Sequence, residues 1–130
     1  MMKVIEIEGK PIPLLRARAG KKGFYDPQLV AKRNFAYLVK EKFKREPIAT
    51  GISLVLEFYF PMPKSWSKKK KNRMAYKEHT QTPDTSNLIK FVEDALNEVV
   101  WEDDKLIFDL HAKKTWAEKG STIIEIKAIE

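Results

Sequence analysis

Between Thr85 and Val99 the apolar residues Leu88, Phe91, Val92, Ala95, Leu96 and Val99 recur at i, i+3, i+4, i+7, i+8 and i+11. That spacing predicts an amphipathic helix with one side on a core. Pro83 sets its entry. Asp84 stands just before the first turn, where free backbone amides and the positive end of the helix dipole hold a carboxylate ionised. Asn87, Lys90 and Asp94, at i, i+3 and i+7, share a side of this helix away from the apolar stripe. The helix stops after Asn97. Glu102, Asp103 and Asp104 then open a strand, Leu106 to Lys113, with Leu106, Phe108, Leu110 and Ala112 on its inward face. If that strand runs antiparallel to the helix axis, Asp104 can come back near the helix's first turn and share a cation with Asp84.

The stretch from Pro83 to Asp109 holds eight carboxylates and two lysines, Lys90 and Lys105, in a chain with 25 basic and 18 acidic residues. A polyanion is repelled by such a segment unless oxygen-bound divalent metal neutralises it. Each acid also has a plainer reading: Asp84 as a cap, Asp103 and Asp104 as a turn. The net charge of +7 points to an anionic partner, nucleic acid ahead of membrane, because no segment pairs a basic helix face with an apolar one. A chain of 130 residues is read as one domain, 1–130, able to bury a core unaided. The absence of cysteine excludes disulfides and thiolate chemistry. The longest apolar run, 52–60, is interrupted by Glu57 and falls far short of the ~20 residues of a membrane span. Glu6 and Glu8 stand where a signal peptide needs an apolar stretch, so a cytoplasmic protein is expected.

Met2 to Glu8 alternates as a first strand. The following segment, 14–27, is basic (Arg16, Arg18, Lys21, Lys22) and read as a flexible loop tipped by Phe24 and Tyr25. It is either a solvated loop or a DNA-contacting arm. Asp26–Pro27 is a helix-start signature, and a helix to about Arg45 follows, with Lys32 among the residues on its wetted side. Thr50 to Phe60 is a half-buried strand. From Lys64 to Lys77 basic residues follow without an acid: Lys68, Lys69, Lys70, Lys71 and Arg73 among them, with Trp66 and Tyr76 alongside. The run is a solvated face, a localisation signal or a phosphate grip, and mutual lysine repulsion predicts mobility without DNA. His79 and His111 are read as surface or hydrogen-bonded histidines, not a metal pair. Thr122 to Ile129 is read as a last strand forming a hairpin with its predecessor.

Pro83-Asp84, Asn87-Leu88-Ile89-Lys90, Asp94-Ala95-Leu96-Asn97 and Asp103-Asp104, together with Gly9-x-Pro11, Arg16, Arg18 and the Tyr25 stretch, resemble the RusA family of Holliday junction resolvases. The resemblance covers nearly the whole chain, and its specific part is residues 83–104. It implies an α+β fold, a small mixed sheet of about four strands packed with two main helices, in a homodimer that nicks four-way junction DNA symmetrically with Mg²⁺, Mn²⁺ substituting. Carried over position by position, Asp84 and Asp104 are the catalytic and metal-binding carboxylates and Lys90 the catalytic lysine. Ser86 departs from the pattern, since the family usually has an aspartate there. Either Asp94, Asp103 or a water supplies the missing ligand, or nuclease activity is weakened or lost. Two rival readings therefore stand beside the nuclease: a catalytically silent branched-DNA-binding protein, and a basic module for an acidic protein partner.

Overall fold

The computed structural model of the chain describes residues 1–15, 18–20 and 23–129. Its interior is organised by β4 (Ile52–Pro61), where Ile52, Leu54, Leu56, Phe58 and Phe60 are all buried on one face while the alternate residues stay half-exposed. Such a strand gains most when flanked on both edges, and it is. The order of the four-stranded sheet is β1 (Met2–Glu8), β6 (Ser121–Ala128), β4, β5 (Ile107–Ala117). β6 runs antiparallel to both β1 and β4, and β5 runs parallel to β4, which makes the sheet mixed. Two further strands, β2 (Arg18–Gly20) and β3 (Gly23–Tyr25), pair antiparallel on their own. The segment expected as a flexible loop thus carries a small two-stranded sheet, with Arg18 opposite Tyr25.

The expected hairpin between the last two strands does not form. β5 and β6 lie on opposite edges of β4, and the connection through Glu118, Lys119 and Gly120 passes over the end of β4 at Pro61. Two inter-strand spacings are only about 10 Å, within reach of three extended residues. Gly120 is needed for this passage, because a Cβ there would stand 2.9 Å from the Lys10 backbone. β5 also runs four residues past its expected end, to Ala117. Its expected inward face is open at the start: Phe108 is 65% and Leu110 36% exposed.

Two helices cover one side of the sheet. α1 (Leu29–Phe43) contributes Phe35, Val39 and Phe43, and α3 (Thr85–Leu96) contributes Leu88, Phe91, Val92, Ala95 and Leu96. The two meet edge-on at Phe35 and Phe91, whose ring centroids are 5.7 Å apart. Burial of each such Leu or Phe is worth roughly 1.5–3 kcal/mol over leaving it in water. α1 begins two residues later than Asp26–Pro27 suggests, because Asp26 Oδ1 takes the Gln28 amide at 2.8 Å ahead of the helix. The architecture is the expected α+β arrangement of a mixed four-stranded sheet and two main helices, with a third, short helix added: α2 (Lys68–Met74). No helix among the described residues is long and apolar enough to cross a membrane.

Candidate active site

α3 carries the acids and fixes their separation. Asp84 occupies its N-cap position but makes no side-chain cap bond, contrary to expectation; its carbonyl instead accepts from the Asn87 and Leu88 amides. The carboxylate is exposed. Ten residues on, Asp94 lies about 15 Å further along the axis at helical rise. Leu88, Phe91 and Leu96 face the core, so Lys90 and Asp94 are exposed on the opposite side.

Asp104 lies in the field of Asp94, which stands in the last turn of α3. It sits in a single 3-10 turn (Asp104–Leu106) directly before β5. Its charged neighbours are Asp103 and Asp94, and Glu93 lies within the same field. Glu93, Asp94 and Asp104 thus lie within one another's electrostatic reach, with Asp103 beside Asp104. Burial, then the charges of Asp104 and Asp94, raise the Glu93 carboxyl above the ordinary range, opposed by Lys90. Asp103 and Asp104 divide their burden unequally. The Lys105 amide donates to Asp103 Oδ1 at 2.9 Å and is the main cause of that carboxyl's lowered pKa. Asp104 is raised, first by burial and then by its hydrogen bond with Asp103 and the charges of Asp103 and Asp94. In this pair Asp104 is the one that holds a proton more readily, and Asp103 accepts the hydrogen bond.

One cation is built into this end. Lys32 of α1, its side chain only 15% exposed, stands 2.7 Å from Asp26 and 3.5 Å from Asp94. Periodicity placed Lys32 on a wetted face, and only the packing of α1 against α3 reveals its role. Glu93 was likewise passed over as a site residue. Its signal was present, since it follows Lys90 by three positions on the same helix.

The N-terminal end of α3 is tied to the basic arm. The Leu14 amide donates to the Asn87 carbonyl at 2.8 Å. Buried Gln28 clamps the same segment, its Nε2 donating to the Pro13 carbonyl at 2.8 Å and its Oε1 accepting from the Leu15 amide at 2.7 Å. Ser86 is exposed in this first turn. Of the arm's candidate DNA contacts, Arg16, Lys21 and Lys22 lie outside the described residues, and Arg18 is placed by its backbone in β2.

The lysine run is ordered rather than mobile. α2 is capped by Ser67, whose Oγ accepts from the Lys70 amide at 3.1 Å. Trp66 packs on Trp116 of β5 at 4.9 Å, and Lys70 lies over the Trp66 ring at 4.3 Å. These anchors outweigh the lysine repulsion that argued for disorder. Beyond α2 the chain lies along the outer edge of β5: the Tyr76 amide donates to the Trp116 carbonyl, the Trp116 amide to Lys77, and the His79 amide to Lys114. His79 is not at the surface. It is 6% exposed, between Phe60 (4.4 Å) and Trp116 (4.2 Å). His111 is exposed and lies 3.5 Å from Asp109.

Mg²⁺ is the group that the sequence resemblance implies. Among the described residues no three histidine or acidic side chains are arranged to enclose a metal. Mg²⁺ does not require enclosure, since it keeps several waters and is usually held by one or two carboxylates. The Asp103–Asp104 pair, crowded enough to raise Asp104, suits that mode.

Comparison with known proteins agrees with the sequence pattern. The family described as Endodeoxyribonuclease RusA matches residues 8–127. The chain is also 33% identical, over 133 positions, to "Uncharacterized protein YqaN" of Bacillus subtilis (strain 168), covering 95% of this chain and 94% of that protein. The match runs from the last residue of β1 into β6, and the chain belongs to the RusA endodeoxyribonuclease family.

Proposed function

We propose that the chain is a Mg²⁺-dependent endonuclease that resolves four-way DNA junctions by paired nicks, acting as a homodimer in recombination and repair. The observation that carries this reading is the gathering of Glu93, Asp94, Asp103 and Asp104 at one end of α3, in a protein of net charge +7 that otherwise attracts polyanions. Bound there, Mg²⁺ would activate a water and stabilise negative charge on phosphorus. Asp103, kept ionised by the Lys105 amide, and Asp104 would hold it, with Asp94 as a further carboxylate in place of the one Ser86 lacks. Lys90, one turn before Asp94, would neutralise a phosphate oxygen.

Asp84 would join this centre from a second copy of the chain. It caps the start of α3, whereas Asp104 lies in the field of Asp94 in the last turn, so a centre using both would take one from each protomer. An isologous dimer then carries two such centres, as many as the strands to be cut. The exposed Phe108 and Leu110, immediately after Asp104, offer apolar surface for such an interface. Lys68, Lys69, Lys70, Lys71 and Arg73 on α2, with the arm of Arg16, Arg18, Lys21 and Lys22, would grip the junction arms through their phosphates.

The test is a synthetic four-way junction incubated with wild type, Asp84→Asn, Lys90→Met and Asp104→Asn, with and without Mg²⁺. Nicking by wild type alone, with junction affinity preserved in the variants, supports the nuclease. Tight binding without nicking by any protein, with Mn²⁺ or Mg²⁺, leaves the silent binding protein that Ser86 suggests. Binding of acidic protein and DNA alike, without the steep salt dependence of DNA contacts, removes both.

A further inference from the structure

Tyr76 is the most exposed aromatic side chain among the described residues, at 74%, and it stands on a backbone with φ of 62°. Bulky residues rarely adopt that left-handed conformation, and where they persist the surroundings hold them there. Here they do: the Tyr76 amide donates to the Trp116 carbonyl at 2.8 Å, and the Lys77 carbonyl accepts from Trp116 at 3.0 Å. The ring is thus presented outward on a fixed strand edge.

It forms one wall of a cleft of about 280 Å³. α2 and its C-cap line the same cleft, through Lys68, Lys71, Asn72 and Ala75 at i, i+3, i+4 and i+7. Met62 supplies further apolar surface and Glu118 the remaining side. The lysine run is therefore not one undivided patch. Lys70 is committed to the Trp66 ring, while Lys68 and Lys71 border the cleft. An aromatic face, an amide able to donate and accept, two ammonium groups and one carboxylate do not suit a bare phosphate, which Glu118 repels. They suit a planar ring bearing N–H groups, attached to a phosphate.

We propose that this cleft receives one unpaired nucleobase of the DNA, stacked on Tyr76, with Lys68 and Lys71 at its flanking phosphates and Asn72 and Glu118 at its edge. The assignment rests on the DNA-binding reading above and deepens it. A base inside a duplex has both faces covered, so the cleft selects DNA that is already open, as at a branch point. Stacking on a ring is tolerant of sequence. Tyr76 then confers preference for structure, separately from the acids that cut.

The test measures anisotropy of labelled single-stranded DNA, a four-way junction and a paired duplex, with full-length wild type, Tyr76→Ala, Tyr76→Phe and Asn72→Ala. Tyr76→Ala should weaken binding to single strands and junction by roughly 5- to 150-fold, the span that base–aromatic stacking supports. Duplex affinity should stay unchanged, and Tyr76→Phe should stay close to wild type. Asn72→Ala, on the exposed face of α2, should give a smaller loss in the same two substrates, and 2-aminopurine placed in the single strand should be quenched by wild type but not by Tyr76→Ala. Wild type that binds all three while Tyr76→Ala and Asn72→Ala match it overturns the cleft alone. Equal losses on duplex and single strand do the same. Wild type that binds no DNA at low salt overturns the DNA reading and the cleft with it.

Discussion

The Lys32 ammonium of α1 stands 3.5 Å from the Asp94 carboxylate of α3, so the helix that follows the basic arm is fastened by charge to the end of the helix that gathers the acids. Its second partner, Asp26 at 2.7 Å, belongs to the base of that arm. One side chain links the two regions that the proposed chemistry requires to act together.

Lys32→Met keeps the stem and removes the charge. Asp26 is lowered below its ordinary 3.8, chiefly by its hydrogen bond from Lys32. A carboxyl whose folded pKa is depressed contributes stability above its unfolded value and loses it as pH falls through the folded one. The variant should therefore melt below wild type at pH 7, and the gap should close as pH drops below 3.8. Thermal denaturation from pH 7 downward measures this, and a gap of constant size would mean that Lys32 acts through packing alone.

Asp84→Asn and Asp104→Asn should complement each other. If each centre takes one aspartate from each protomer, a mixed dimer retains one intact centre and one doubly substituted. Random assembly gives half mixed dimers, hence about one quarter of wild-type centres. The variants should be unfolded together, refolded and assayed for single nicks in a four-way junction. Activity no greater than either variant alone would place both aspartates in one chain's centre or assign Asp84 no part in it.

The acids at the end of α3 should make the fold respond to Mg²⁺. Burial and mutual repulsion raise Glu93 and Asp104, so their ionised forms cost stability at neutral pH. A bound divalent cation removes that cost, adding about 2.7 kcal/mol when present at a hundredfold excess over its Kd. Wild type should melt higher in Mg²⁺ than in chelator. Asp104→Asn should melt higher than wild type in chelator and respond weakly to the ion. Scanning calorimetry with equal increments for both proteins would remove Asp104 from the metal site.

α3 was legible because its apolar spacing dictates its buried face, and the strand of Ile52 to Phe60 was legible for the same reason. Sequence periodicity is local, however, and cannot say which strands become neighbours. The hairpin expectation failed on that point, because the apolar face of β4 drew β5 and β6 to its two edges. The same limit governs the site. Asp103, Asp104 and Asp94 could be named from their motif, but not that Glu93 would share the field of Asp104. Lys32 carried no signal of its bond to α3, since Asp94 lies 62 positions away. The order of α2 came from Trp66 and Trp116, fifty positions apart. A lysine run reads as repulsive until its anchor is known.

His79 gives that anchor a pH dependence. It lies between Phe60 and Trp116, and burial lowers its pKa below 6.5, with Lys114 and then Lys10 adding to the effect. The folded state thus favours the neutral ring. Its stability is complete above 6.5 and declines as pH falls through the lowered folded value, by at most about 1.4 kcal/mol per pH unit for one proton. Trp66 and Trp116 report on the same cluster, so their fluorescence should follow the loss. His79→Phe preserves the stack and removes the proton site. Urea denaturation between pH 7.5 and pH 5 should show wild type losing stability and the variant staying nearly level. Parallel decline in both proteins would assign the titration to a group other than His79, and not to Glu93 or Asp104, because their raised values give the opposite sign.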